Sequence, residues 1–420
     1  MRDFVAKRAR FRNGERLSVL MHQGMPVQLA VLFLNRYRAR GNAANTIHQV
    51  CEFLAMLHNH LAGQHVDLWE RLCSGRFLSA PELDSFAMAA QFKVKDLDED
   101  QGRDIEPRSV VNLERARLRR TRDVEAQTPV GPSSHANRIR YAHKYLVFAT
   151  DYVRPMLPAE RAAQFSAEVR RGLDALYAQI PKVSNRATIN ARTGMSEDHE
   201  LRLLDLIRPD SPLNPWKSAF VKARNELIVV LLLAGGMRRG ELLGLQIRDI
   251  MSSSSTLQIL RRPDAKEDGR VVQPNTKTRD REIPLSTGVM RRLESFISND
   301  RRAIKKARRI PQIFTSDEGE ALSSQSLSQI FVDLRTACPE LPPRLSAHVM
   351  RHTWNERFSE YADKAAMTPA EEENARSEHQ GWVQGSLTSG TYTRRHARAK
   401  ARKLALEMQD TLERNLDGRG

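Results

Sequence analysis

The segment LIVVLLLAGGM at residues 227–237, followed directly by RRGELLGL at 238–245, decides the fold of the second half of the chain. The apolar run predicts a buried helix, and two glycines end it before a new helix begins. With 3.6 residues per turn, Arg238, Glu241 and Leu242 share a face, so the arginine points towards the core. A half-buried guanidinium needs a partner, and Glu241 can orient it while leaving donors for a phosphate. A purely structural ion pair explains this segment equally well.

A polar turn, NTKTRD at 275–280, precedes a β-like run at 281–285, and a second such run lies at 255–261. We expect Lys277 at the tip of this turn. Plain solvent exposure is the usual state of a lysine in such a place. Together with the helical patterns around them, the two runs predict a mostly helical domain that carries a small sheet.

The segment LSAHVMRHT at 345–353 predicts a helix with Ser346 at its N-cap. His348 and Arg351 are three residues apart and are therefore neighbours on one helix face. The pattern is uninformative by itself, because a basic chain with 12 histidines produces it by chance.

The last segment runs from HQGWVQGS at 379–386 to TYTRRH at 391–396. Tyr392 is one of seven tyrosines, and an isolated tyrosine is usually an amphipathic surface residue. Here it lies in a polar setting beside arginines, where a phosphate could be held next to its hydroxyl.

In this order and spacing, the four segments resemble the tyrosine recombinases of the phage integrase type, over about residues 195–396. The GxRxxEL pattern, the turn lysine, the HxxR pair and the late tyrosine all match that family. For the family's position that is histidine or tryptophan, the spacing to Tyr392 favours Trp382 over His379. The resemblance implies that the catalytic residues are Arg238, Lys277, His348, Arg351, Trp382 and Tyr392, with Glu241 and His379 in support.

The resemblance implies DNA strand cleavage and rejoining through a 3′-phosphotyrosyl intermediate. Two arginines with forked donors suit the charge of a phosphodiester under attack. A tyrosine hydroxyl titrates at a pKa of about 10, so His348 is expected to assist as a base and Lys277 to protonate the leaving 5′ oxygen. We expect Trp382 to brace the phosphate. Because the bond energy is kept in the phosphotyrosine, neither metal, ATP nor any other cofactor is expected.

The chain of 420 residues carries a formal net charge of +16, which favours a polyanionic partner, nucleic acid before an anionic membrane surface. The resemblance implies that this partner is double-stranded DNA. We find no leader-like segment and no apolar run near the ~20 residues that span a bilayer. Three scattered cysteines predict neither a disulfide framework nor a zinc site. The expectation is a cytoplasmic, nucleoid-associated protein of a bacterium, phage or other mobile element, with no membrane partner.

The expected architecture has two domains of mostly α structure, with a small β-sheet in the catalytic domain. A helical core-binding domain with a basic N-terminal arm is expected at 1–178, and a basic linker at 179–194. The catalytic domain is expected at 195–403. A C-terminal helix at 404–420 carries Leu404, Met408, Leu412 and Leu416 at four-residue spacing.

The family resemblance implies a homotetramer on two DNA sites, linked by C-terminal segments exchanged between protomers, with accessory recombination proteins as further partners. The leucine and methionine stripe suits such an exchange, and packing on its own domain is the alternative.

Site-specific recombination is the expected function. Two others remain open: DNA relaxation of the type IB topoisomerase kind, and DNA binding without catalysis on the same fold.

Overall fold

The computed structural model describes residues 3–93, 128–183, 194–383, 401–402 and 404–414. The chain divides into two compact units, Met1–Thr188 and Ile189–Gly420, each with its own hydrophobic core. The expected nucleophile, Tyr392, lies outside the described residues, as does Leu416.

Six helices of the first unit lie in the described part of the chain. Apolar side chains spaced by three and four residues along them form one core, in which Leu54, Leu57 and Tyr145 are fully buried. The helices are α1 (Gln28–Ala39), α2 (Ala44–Gly63), α3 (Leu68–Cys73), α4 (Ala80–Ala89), α5 (Pro132–Val153) and α6 (Ala159–Ala178).

The N-terminal residues form a three-stranded antiparallel sheet, so the predicted basic arm before an all-helical domain is wrong. The strands are β1 (Phe4–Arg10), β2 (Arg16–His22) and β3 (Met25–Pro26), adjacent in that order. The sheet packs against α2. A sheet is therefore present in both units and is not confined to the catalytic one.

The physical reason lies in the turn between β1 and β2. It contains Asn13-Gly14, a dipeptide typical of hairpins, and Gly14 has a φ of 97°, which glycine adopts readily. The Asn13 side chain accepts a hydrogen bond from the Glu15 backbone nitrogen at 3.0 Å. The Asn59 side chain of α2 then bonds both backbone groups of Phe4, at 3.0 and 2.7 Å. The cluster of positive charge in β1 had hidden its strand alternation.

The second unit is mostly helical, as predicted. Its long apolar helix ends at Gly235, the following Gly236 takes a left-handed φ of 58°, and the next helix starts at Arg239. The helices are α7 (Glu197–Ile207), α8 (Ala219–Gly235), α9 (Arg239–Gly244), α10 (Thr287–Phe296), α11 (Ser324–Ala337), α12 (Ala347–Lys364) and α13 (Pro369–Gln380).

A small antiparallel sheet of the second unit contains β4 (Ile250–Met251), β5 (Thr256–Ile259) and β6 (Arg281–Pro284). Leu257 of β5 pairs with Ile283 of β6, and both are fully buried in the core of this unit. Because side chains alternate along a strand, Arg281 lies on the same buried face as Ile283, two residues before it. This register carries a charged residue into the interior.

Helix α8 packs against α10 and α12, and α13 packs against α12 and β6. These contacts bring the carboxyl end of α8, the start of α9, the start of β6 and the end of α13 to one place. No helix in the described part of the chain combines the length and the apolarity needed to cross a bilayer.

Candidate functional site

A buried carboxylate lies at the centre of the candidate site. Glu241 in α9 has a fully buried side chain that accepts hydrogen bonds from three neighbours. Arg281 Nη2 and the Arg238 backbone nitrogen donate to Oε2 at 2.7 and 2.9 Å. The Thr278 hydroxyl donates to Oε1 at 2.8 Å, and Arg238 Nη1 lies 3.3 Å from the same oxygen. Both carboxylate oxygens therefore have donors.

Glu241 is held as a carboxylate despite its burial. Burial alone raises the pKa of a carboxyl group, but the charge and hydrogen bond of Arg281, and then the charge of Arg351, outweigh it. The net effect is a pKa of Glu241 below the ordinary value. The site thus contains one negative charge surrounded by three arginines.

Arg238 does not lie on the core face of the following helix, as the periodicity had predicted. It occupies the N-cap position of α9 with an extended backbone, and its side chain is 27% exposed. The chain reversal at Gly236 places it there. As a result, Glu241 orients the Arg238 guanidinium from the buried side. The exposed part of the guanidinium faces solvent, which suits binding of an external anion.

Arg351 and Trp382 meet at the same site. Arg351 in α12 is 1% exposed, and its Nη1 donates to the Gly236 carbonyl at 2.7 Å. Its guanidinium carbon lies 5.4 Å from the centre of the Trp382 ring, within the range of a cation–π contact. Trp382 itself is buried directly after the end of α13.

His379 contacts a backbone carbonyl and an aromatic ring. Its Nε2 lies 3.1 Å from the Gly235 carbonyl, and since a carbonyl oxygen only accepts, Nε2 carries a proton. The ring also stacks on Trp354, with centroids 4.3 Å apart. Burial, with the charges of Arg281 and Arg351, lowers the pKa of His379 to about 4.

His348 and Lys277 are exposed. His348 lies in the first turn of α12, and its Nε2 is 3.0 Å from Nε2 of His352 one turn later. Lys277 directly precedes the buried Thr278, which bonds Glu241. Ser346 occupies the N-cap position of α12, but its side chain makes no capping hydrogen bond.

Two residues of the site were missed from sequence, Thr278 and Arg281. Arg281 has a side chain only 3% exposed, and it donates to Glu241, to the Thr278 hydroxyl and to the His379 carbonyl. Arg281 lies two residues before Ile283 in a predicted strand, so the two side chains share a face, and this spacing was a signal that could have identified Arg281. In a chain with 67 lysines and arginines, one more arginine in a polar stretch does not stand out.

Gly240 lets the segment before β6 approach α9. A Cβ at Gly240 would lie 2.3 Å from the Asn275 carbonyl oxygen, a distance that backbone atoms cannot tolerate. Gly244, in the last turn of the same helix, has no atom within 4 Å of such a position. The glycine at 240 therefore determines where the segment that carries Lys277 and Thr278 and leads into β6 enters the site.

The match to a known family covers most of this site. Residues 196–364 match the phage integrase family. They form a phage integrase domain. The resemblance inferred from the four segments is confirmed for this part of the chain, which contains Arg238, Lys277, His348 and Arg351. No curated protein sequence matches the chain.

Several solved structures of recombinases are similar to the chain at low identity. The crystal structure of XerA recombinase has 13% identity and a TM-score of 0.35, covering 87% of this chain and 92% of that one. XerH site-specific recombinase bound to a palindromic difH substrate has 16% identity and a TM-score of 0.43, covering 84% of this chain and 97% of that one. A lambda integrase dimer bound to a COC′ core site has 15% identity and a TM-score of 0.38, covering 80% of this chain and 94% of that one. The family assignment rests on residues 196–364.

Gly240→Ala should destabilise the phage integrase domain by about 1–3 kcal/mol, because the new methyl group overlaps the backbone of Asn275. Gly244→Ala is the matched control in the same helix. It should be neutral or stabilise the domain by up to about 1 kcal/mol, since it only removes the conformational freedom of glycine. Urea unfolding of the two variants measures the difference, and equal midpoints would contradict the close approach.

The pH dependence of stability should reveal His379. Its pKa is lower in the folded state, so its contribution is complete above the unfolded value of about 6.5 and is lost as the pH falls towards 4. Over that window the wild type should lose up to about 3 kcal/mol more than His379→Phe, which keeps the stacked ring but does not titrate. Unfolding free energies measured at several pH values test this. Parallel curves for the two proteins would show that His379 titrates normally.

Proposed function

We propose that this protein is a site-specific DNA recombinase that cleaves and rejoins DNA strands through a 3′-phosphotyrosyl bond to Tyr392. The phage integrase match supports a role in site-specific recombination. The assignment of the individual residues rests on the geometry described above and on the motif positions.

One observation carries the proposal: three family positions far apart in sequence converge around Glu241. Arg238 pairs with Glu241, the charge of Arg351 acts on the same carboxylate, and the Trp382 ring lies against Arg351. A structural ion pair needs one arginine, whereas this centre holds two at family positions, and Arg238 is partly open to solvent. Two forked donors around one point fit a phosphodiester.

The proposed reaction starts with attack of the Tyr392 hydroxyl oxygen on the scissile phosphorus. The bond from phosphorus to the 5′ oxygen breaks as the bond to tyrosine forms, and Arg238 and Arg351 stabilise the charge on the phosphate oxygens. His348 takes the tyrosine proton, and Lys277 gives a proton to the leaving 5′ oxygen. Attack by a different 5′ hydroxyl reverses these steps and joins new strands.

The exposure of each group agrees with its proposed role. Lys277 and His348 are exposed, and each must exchange a proton with a reacting group, whereas Glu241 is buried and only has to orient Arg238. For the family position that is histidine or tryptophan, we propose Trp382. His379 already donates to Gly235 and stacks on Trp354, while the Trp382 ring meets Arg351.

Double-stranded DNA is the proposed partner, and the net charge of +16 supports it. We also propose a tetramer on two DNA sites, linked by exchange of C-terminal helices. The helical residues 404–414 expose Leu404 by 60%, Met408 by 73% and Leu412 by 59%. This apolar stripe is open to solvent in the monomer, which favours packing on a neighbour over packing on its own domain.

Tyr392→Phe should abolish the covalent protein–DNA adduct while leaving folding and DNA binding nearly intact. The ring is kept, but the attacking oxygen is lost and no neighbouring group replaces it. The measurement is incubation with a suicide substrate nicked near the crossover, followed by a denaturing gel. Tyr361→Phe is the control, because this tyrosine is 69% exposed in α12 and should be dispensable.

The products of this assay separate the candidate functions. Strands joined to a new partner support recombination, and DNA that is only relaxed supports the topoisomerase alternative. A wild-type protein that binds its site but forms no adduct would be a DNA-binding protein without catalysis. Peptide mapping that recovers the phosphate on another residue would refute the assignment of Tyr392.

Arg238→Lys should keep the fold and DNA binding but slow adduct formation on the order of 10²-fold or more, because a point charge cannot replace a forked contact in the transition state. The adjacent Arg239 is exposed and provides the matched control. Single-turnover rates of Arg238→Lys and Arg239→Lys give the comparison. Near wild-type cleavage by the first variant would remove Arg238 from the catalytic centre.

A further inference from the structure

The buried side chain of Arg281 connects three segments of the second unit. It donates from Nη2 to Glu241 of α9 at 2.7 Å and from Nε to the His379 carbonyl at the end of α13, also at 2.7 Å. Its third contact, from Nη1 to the Thr278 hydroxyl, measures 2.8 Å. Because that hydroxyl in turn donates to Glu241, Arg281, Thr278 and Glu241 form a closed ring of hydrogen bonds.

The end of α13 is held against the same stretch of chain. The Arg279 backbone nitrogen donates to the Gly381 carbonyl at 3.0 Å, and Arg279 Nη2 donates to the Trp382 carbonyl at 2.8 Å. Gly381 has a left-handed φ of 64°, and a Cβ there would lie 2.9 Å from Cδ of Arg281. The place of Trp382 is therefore set by backbone that lies directly on the Arg281 side chain.

We propose that Arg281 is a positioning residue, which fixes Arg238 through Glu241 and fixes Trp382 through the carbonyl of His379. This inference rests on the proposed DNA cleavage. The Nε, Nη1 and Nη2 atoms of Arg281 all donate within the protein, to His379, Thr278 and Glu241, so Arg281 acts through the groups it holds.

The geometry explains why an arginine stands at this position. Its planar fork donates in three directions at once, to a carboxylate, a hydroxyl and a carbonyl. A lysine keeps the positive charge near Glu241 but has a single nitrogen on a flexible stem. Glutamine removes the charge, which leaves Glu241 buried with less compensation and so raises its pKa.

Two substitutions separate the charge of Arg281 from its geometry. Arg281→Gln should slow single-turnover adduct formation on the order of 10²-fold and move the acidic limb of the pH–rate profile to higher pH, because Glu241 then protonates more easily. Arg281→Lys should also be slower than the wild type, but its acidic limb should stay near the wild-type position.

The matched control is Arg301, a second buried arginine of this unit, which donates to the backbone carbonyls of Ala307, Ile310, Gln312 and Ile313 and to none of the site residues. Arg301→Gln should lower the free energy of unfolding without moving the pH–rate profile. If Arg281→Gln behaves like Arg301→Gln, with only stability changed, Arg281 is a structural residue and the proposal is wrong.

Amide hydrogen exchange of the free protein gives a readout that does not depend on cleavage. Arg281→Gln should increase exchange in peptides covering 238–241 and 379–382, and Arg301→Gln should leave both peptides protected. Absence of adduct with the wild type would refute the proposed function alone, because exchange still tests the placement. Unchanged protection of both peptides in Arg281→Gln would overturn the positioning role.

Discussion

The second unit depends on one buried charge interaction, the carboxylate of Glu241 with its arginine and threonine donors. Burying a carboxylate costs several kcal/mol unless it is paired and hydrogen-bonded. Here Arg281 and Thr278 approach from the strand side, and Arg238 provides both a backbone N–H and its guanidinium. The compensation requires α9 and β6 to take exact relative positions. The same interaction that the fold needs thus orients the arginine that we propose binds the phosphate.

Glycines permit these positions, each at a point where a side chain would collide. Gly236 reverses the chain after α8, and a Cβ there would lie 2.7 Å from the Gln380 amide and 2.8 Å from the Trp354 ring. Gly240 admits the Asn275 backbone, and Gly381 turns the chain over Arg281 towards Trp382. The glycines of the motif are therefore packing requirements of the site as much as breaks between helices.

The placement of His379 and Trp382 shows how packing distinguishes two candidates that sequence leaves close together. His379 lies in the last turn of α13, and Trp382 follows three residues later, just beyond the end of the helix. The left-handed turn at Gly381 sends them in different directions, His379 onto Trp354 and Gly235, and Trp382 onto Arg351. A histidine whose pKa is lowered to about 4 stays neutral at physiological pH and adds no charge to the cluster of arginines.

The sequence by itself determined the two-part, mostly helical fold, the short strands of the second unit and the motif positions from Arg238 to Arg351, because helix periodicity and residue spacing are local signals. The sequence-based prediction was wrong where two local signals competed. The basic residues of β1 obscured its strand alternation, and the helical period placed Arg238 inside a helix that in fact begins at the next residue. Only the tertiary structure revealed Arg281 and Thr278 as partners of Glu241, and only it separated His379 from Trp382. The contacts of Thr278 and Arg281 with Glu241 join residues 37 and 40 positions apart, and that of His379 with Gly235 spans 144. The burial that selects these contacts exists only once the helices and the sheet have packed.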